Sequence, residues 1–342
     1  MTRAQEVLAP GPRRTPYDVV RAAYAELWVT DLERSAQFYV GLLGFVVSDR
    51  TPDTLYLRGW EERVHHSLVL RERPLAACAR VAFRVREEDD LDRIAEDFER
   101  RGCKATFVAG DRAGMGRALR VWDSFGFPLE FFHEIAVFET QLQRFDLQRG
   151  APVLRLDHFN LHSPQLEECL GFWQELGFHC TEYISTDGDD ERITGAWLTR
   201  KPAVHDVALT AGKGPRLHHL GFAVPDQIAV LRACDQLAAA GSAVSIERGP
   251  GRHGVSNAFF VYLRDPDGHR IELYACDYYT GDPAHEPIRW SVSDASCRSF
   301  WGTHAPDSWY DESTSVLDAD GEIVPIMAAT VDERTSRSEV MA

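Results

Sequence analysis

His158 in LDHFN, His219 in RLHHLGF and Glu272 in HRIELY are the residues whose types could hold a metal ion together. Each lies in a short run of alternating apolar and polar residues, which predicts a strand with one face turned inward. Two imidazoles and one carboxylate on one side of a divalent ion suit non-heme iron or manganese and leave positions open for ligands. Such a set works only if three strands distant in sequence converge. Taken singly, each histidine reads more readily as a hydrogen-bonded core residue.

The elements that must bring them together form a repeat at two levels. AYAELWVTDLERSAQFYVGLLGF (23–45) has the same plan as LDHFNLHSPQLEECLGFWQELGF (156–178): strand, turn, amphipathic helix, then Leu-Gly-Phe. DSFGFPLEFF (123–132) lies over DPDGHRIELY (265–274), which sets Asp123 on Asp265, Gly126 on Gly268 and Glu130 on Glu272. Each half divides again, giving units that begin near Tyr24, Arg80, His158 and His219. Helices are expected over 32–42, 91–101, 166–176 and 227–240, the last stopped by Gly241. The pattern predicts an α+β protein of four βαβββ units: a tail (1–22), an N-terminal domain (23–140), a linker (141–152), a C-terminal domain (153–290) and an irregular segment (291–342). The end of that segment, from 329 on, reads as disordered.

Composition narrows the function. Acidic residues outnumber basic ones 53 to 37, for a formal charge of −16, which argues against nucleic acid or an anionic membrane as partner. A few local arginines can still hold an anionic small molecule. Seven scattered cysteines without a CxxC pair fit reduced thiols in a cytoplasm rather than a disulfide framework. No stretch reads as a signal peptide or a membrane span.

The repeat architecture resembles the vicinal oxygen chelate superfamily over about Tyr24 to Trp309. That resemblance implies two domains, each a sheet rolled around a central cavity. In such units the first strand of each module and the last strand of the final module point at one place, which the C-terminal half fills with His158, His219 and Glu272. The matching N-terminal positions are Tyr24, Arg80 and Glu130, so that half is expected to bind no metal. His218 should face away from His219 by the two-residue period of a strand.

LDHFN, VHDVALT, RLHHLGF, ERGPGRHGVSNAFFVYLRDPDGHRIELY and DYYTGDP are similar to the type I extradiol dioxygenases, above all to homoprotocatechuate (3,4-dihydroxyphenylacetate) 2,3-dioxygenases. The long ERGPGRHGVSNAFF run is the specific part. The resemblance implies Fe(II) or Mn(II), a catechol and O2 as substrates, and a homotetramer. It makes His205 the acid–base histidine and Tyr262 the donor to a substrate oxygen. Asn160 and Trp197 become pocket residues, Arg248, His253 and Arg298 the holders of a carboxylate arm, and Trp309 a lid. One departure is Cys297, where the family has an arginine before the retained Arg298. Read without the family, Tyr262 and Trp197 could be core aromatics, Asn160 a turn cap and His205 a surface histidine beside Asp206. A glyoxalase-like isomerase and a metal-free binding protein are the competing functions. The first usually draws ligands from both halves, which Tyr24 and Arg80 do not offer.

Overall fold

The alternating strands and helices become four copies of one βαβββ module in the computed structural model, which describes residues 7, 8, 11, 13–110 and 113–331. The first module holds β1 (Val19–Val29), α1 (Leu32–Ala36), β2 (Val46–Arg50), β3 (Thr54–Arg58) and β4 (Leu68–Glu72). The second holds β5 (Ala77–Val85), α2 (Asp90–Arg100), β6 (Lys104–Ala109), β7 (Arg117–Trp122) and β8 (Pro128–Phe132). The third runs through β9 (Arg155–Ser163), α3 (Leu166–Glu175), β10 (His179–Ser185), β11 (Ile193–Thr199) and β12 (Val207–Ala211). The fourth runs through β13 (Arg216–Ala223), α4 (Gln227–Ala239), β14 (Ile246–Arg252), β15 (Phe259–Arg264) and β16 (Arg270–Ala275). After it come β17 (Ile288–Ser291), α5 (Asp307–Asp311) and β18 (Thr314–Ser315).

In every module the first and last strands pair in parallel: β1 with β4, β5 with β8, β9 with β12, β13 with β16. Modules join through their first strands, which run antiparallel, β1 against β5 and β9 against β13. Two sheets result, ordered 2-3-4-1-5-8-7-6 and 14-15-16-13-9-12-11-10-17. The second sheet curls until its ends meet, and the Ser256 amide beyond β14 donates to Glu182 on β10 at 2.8 Å. This is the two-domain vicinal oxygen chelate fold.

Local chemistry fixes the module boundaries. Asp31 and Asp226 accept from Arg34 and Ala229 amides and start α1 and α4 as side-chain N-caps. Helix α1 passes into a π-helical stretch over Gln37–Leu42, so the expected single helix changes pitch halfway. The Asp-Gly turns before β8 and β16 are built alike. Asp265 accepts from the Asp267 and His269 amides at 2.9 and 2.8 Å, and Asp123 from the Phe125 and Phe127 amides at 2.9 and 2.8 Å. Gly126 (φ +87°) and Gly268 (φ +85°) take the left-handed conformation that closes each turn.

A shared core lies between the sheets. Phe83 of β5 meets Phe159, Trp173 and Phe178 of the other domain at 5.3–5.7 Å between ring centres. Beyond their buried area, such aromatic pairs contribute about 0.5–1.5 kcal/mol each. The segment after β17 is irregular yet placed: Val316 bridges to Cys78, the Trp122 indole donates to the Leu317 carbonyl at 3.1 Å, and Met327 bridges to Gly214. Of the tail expected to be disordered, 332–342 lies outside the described residues.

Candidate metal centre

Strand register brings the three ligand-type residues together. In the β9–β13 pair His158 lies opposite Gly221 and Asn160 opposite His219, while β16 sets Glu272 beside Gly221. His158 Nε2 comes within 3.3 Å of His219 Nε2 and 3.0 Å of Glu272 Oε2, and His219 Nε2 lies 3.2 Å from the same oxygen. Among the described residues these three ligand atoms form a cluster within 4.8 Å, all buried. Burial also pushes the His219 imidazole down to about 4, which keeps it neutral and able to give a lone pair. The donor set fits divalent iron or manganese.

Each imidazole is oriented from behind. Asp157 Oδ2 accepts from His158 Nδ1 at 3.1 Å, and Lys201 stands 2.9 Å from the other Asp157 oxygen. Outer-sphere partners of this kind fix the ring and its tautomer. His218 does not face away from His219. A β-bulge falls between Leu217 and His219, so the two-residue period breaks there. The rings of His218 and His219 instead meet through their Nδ1 atoms at 2.7 Å.

In the N-terminal half the equivalent positions carry a different set of groups. Tyr24 donates to Glu130 Oε1, while Arg80 and Arg120 reach Oε2 at 3.3 and 2.9 Å. Two guanidinium groups thus supply the positive charge beside this carboxylate. Arg120 pairs with Glu130 in the register that Tyr262 has with Glu272. His66 precedes β4 as His205 precedes β12, since Leu68 and Val207 hold equivalent positions beside β1 and β9.

The other residues singled out in the sequence surround a cavity that opens onto His158, His219 and Glu272. The His205 ring lies over His158 at 3.9 Å, and His205 is 5% exposed, so it is no surface histidine. Its loop is held by Asp206, which accepts from the Ala22 amide at 2.8 Å and the Arg200 amide at 2.7 Å. Burial, then His158, hold the His205 imidazole well below its ordinary range. Asn160 accepts from Thr210 at 2.9 Å. Trp197 packs with Ile184, Val255 and Cys297 on one wall.

Tyr262 and His253 form a short relay. His253 Nδ1 donates to the Arg298 carbonyl, so His253 Nε2 accepts from the Tyr262 hydroxyl at 3.0 Å. His253 therefore links Tyr262 to the Arg298 side of the cavity. Burial, then Glu272, hold the Tyr262 phenol well above its ordinary value, so it remains a donor. Asn257 and Ser256, at φ 54° and 57°, turn the chain between His253 and β15. Arg248 donates to the Arg298 carbonyl and the Ser299 hydroxyl and lies 4.5 Å from the Trp309 ring centre. Arg298 and Cys297 both line the cavity, Cys297 with its thiol fully buried.

The family model for the glyoxalase/bleomycin resistance protein/dioxygenase superfamily matches residues 21–131 and 155–273. The chain belongs to this superfamily, as an extradiol ring-cleaving dioxygenase. Homoprotocatechuate 2,3-dioxygenase from Brevibacterium fuscum, solved as an anaerobic complex with 3,4-dihydroxyphenylacetate, is 45% identical with a TM-score of 0.88, covering 93% of this chain and 98% of that one. The metapyrocatechase of Geobacillus stearothermophilus is 32% identical over 319 residues, 88% of this chain and 95% of that protein. A manganese-dependent 2,3-dihydroxybiphenyl 1,2-dioxygenase from Geobacillus genomosp. 3 is 29% identical over 299 residues, 83% of this chain and 94% of that one.

One residue of this dioxygenase site escaped the sequence reading. A Cβ on Gly221 would lie 2.1–2.5 Å from the His158 ring atoms, so only glycine lets that imidazole cross β13 toward Glu272. The signal was present, a glycine inside a strand two residues after a ligand-type histidine. Gly221→Ala is expected to displace His158 and weaken metal binding by at least about tenfold, since outer-sphere losses alone cost 10–100-fold. Equilibrium dialysis against Mn(II) reads this, and unchanged affinity would show that His158 is not held across Gly221.

Proposed function

We propose that this dioxygenase cleaves 3,4-dihydroxyphenylacetate next to its two hydroxyls, with His158, His219 and Glu272 as the metal ligands. One C–C ring bond breaks and both atoms of O2 enter the product, a 2-hydroxymuconate semialdehyde derivative. The observation that carries the substrate choice is Arg248 together with Arg298 in a buried cavity of a protein with formal charge −16. Guanidinium groups bind a carboxylate in a fork that matches its geometry. Cys297, buried where the family has an arginine, leaves these two to hold the arm.

When bound, the ion supplies the Lewis acidity and redox character that let a catechol react with dioxygen. The remaining work falls to side chains. Tyr262, on the strand beside Glu272, turns to a substrate oxygen the hydroxyl proton that His253 accepts in the empty cavity, and His253 behind it orients the phenol. His205 faces the cavity across the His158 ring and is the group that takes and returns a proton. Asn160, fixed by Thr210, presents its amide on the same strand as His158. Trp197 walls the cavity and Trp309 covers it, keeping water away.

The cellular setting belongs to the same reading: a cytoplasmic homotetramer that meets neither nucleic acid nor membrane. Its supports are the acidic charge, seven free cysteines, no described helix long and apolar enough to cross a membrane, and exposed Val137, Phe145 and Leu147, which a second copy would cover.

The substrate assignment is tested with the Fe(II)-loaded protein in air, comparing 3,4-dihydroxyphenylacetate with plain catechol by oxygen uptake and yellow product. The acid should be preferred. A charge-assisted hydrogen bond contributes about 1.5–3 kcal/mol, so Arg248→Met should lower kcat/KM for the acid about tenfold to a hundredfold. Turnover of catechol, which does not reach that arginine, should hardly change. Equal kcat/KM for both substrates in the unmodified protein would remove the carboxylate assignment and leave ring cleavage standing.

A further inference from the structure

His218 is buried, belongs to none of the roles above, and bridges two parts of the molecule. Its Nε2 lies 3.0 Å from the Trp309 carbonyl and its Nδ1 lies 2.7 Å from His219 Nδ1. A carbonyl oxygen only accepts, so His218 Nε2 carries the proton of that bond. A neutral imidazole then has its Nδ1 as acceptor, and His219 must donate from Nδ1. The lone pair of His219 is thereby left on Nε2, the nitrogen that faces His158 and Glu272.

The surroundings hold His218 in that role. Its ring is packed between His162, at 4.4 Å between ring centres, and Trp309, also at 4.4 Å. Arg270 donates to the His218 carbonyl at 3.1 Å and to the Ser308 carbonyl at 3.1 Å, tying β13 to α5. The bulge at Leu217–His219 lets two neighbouring histidines share one region. Asp157 performs the matching task behind His158 as a carboxylate within the same domain. Behind His219 the last acceptor is a main-chain carbonyl of the irregular C-terminal segment.

We infer that His218 is a positioning residue that passes the Trp309 carbonyl's demand for a proton on to His219, so that docking of α5 prepares His219 to hold the metal. The inference rests on the proposed ligand set. It also makes α5 part of the metal's outer sphere, besides its cover over the cavity.

The full-length apo protein is dialysed against Mn(II), and its thermal melt is recorded before loading. His218→Phe keeps a ring between His162 and Trp309 but offers no acceptor. It should weaken Mn(II) binding by about 10–100-fold, the usual cost of a lost outer-sphere partner, in an apo protein that melts somewhat lower but still cooperatively. His218→Asn, whose Oδ1 can accept the His219 N–H, should recover most of that affinity. Loaded with Co(II), the unmodified protein should show two hyperfine-shifted, slowly exchanging imidazole N–H signals, one backed by Asp157 and one by His218. The second should exchange rapidly in His218→Phe. Unchanged Mn(II) affinity in the Phe variant, equal loss in the Asn variant, or a single protected signal in the unmodified protein would each overturn the inference. Should His218→Phe not fold, the Asn variant and the two-signal requirement still decide it. Failure of the unmodified protein to bind Mn(II) or Co(II) at all would instead overturn the ligand set.

Discussion

His219→Ala is expected to give a folded chain that keeps neither iron nor manganese and turns over no catechol. Removing a direct ligand should exceed the 10–100-fold loss of affinity that an outer-sphere partner costs. Glu272 and His158 would remain, but a carboxylate and one imidazole leave the ion half held. Metal content after dialysis, read by elemental analysis, and oxygen uptake check the result together. The companion variant Glu130→Gln should keep full metal content, because Glu130 lies in the other half with Tyr24, Arg80 and Arg120. Its cost should appear as a lower melting temperature, since two half-buried guanidinium groups lose a carboxylate partner. Full iron occupancy in His219→Ala would refute the ligand set.

The second large effect concerns His205. His205→Phe should retain metal and still bind catechol anaerobically, because a phenyl ring can keep the packing over His158 seen at 3.9 Å. What it cannot do is move a proton, so kcat should fall about a hundredfold or more. Should the variant lose its metal instead, His205 belongs among the ligands and the proposed set is wrong.

Much of this was legible in the sequence because duplication wrote it twice. Leu-Gly-Phe after the first helix of each half and the Asp and Gly of the turns before β8 and β16 gave the module plan, and the plan placed Glu272 over Glu130. Reading failed where a local irregularity outweighed periodicity. His218 was placed on the wrong face because a bulge adds one residue to β13, and nothing in RLHHLGF announces it. Gly221 passed unnoticed because the residue it makes room for lies on another strand. The segment after β17 carries no period since the two-residue β18, isolated bridges and side-chain bonds hold it, not a long ladder. Arg120 as a neighbour of Glu130 followed only from strand register.

The caged carboxylate of the N-terminal half makes a metal site there hard to build by single steps. Exchanging Arg80 for histidine would take from the buried Glu130 one of its two guanidinium partners, which destabilises the half without freeing the carboxylate. Exchanging Tyr24 alone would place a new imidazole against Ala82, which stands beside Glu130 where Gly221 stands beside Glu272. Arg120 would still hold the oxygen that an ion would need. Each partial step is worse than either end state. After duplication such a half is locked into support, and its sister remains free to vary the cavity without losing the frame.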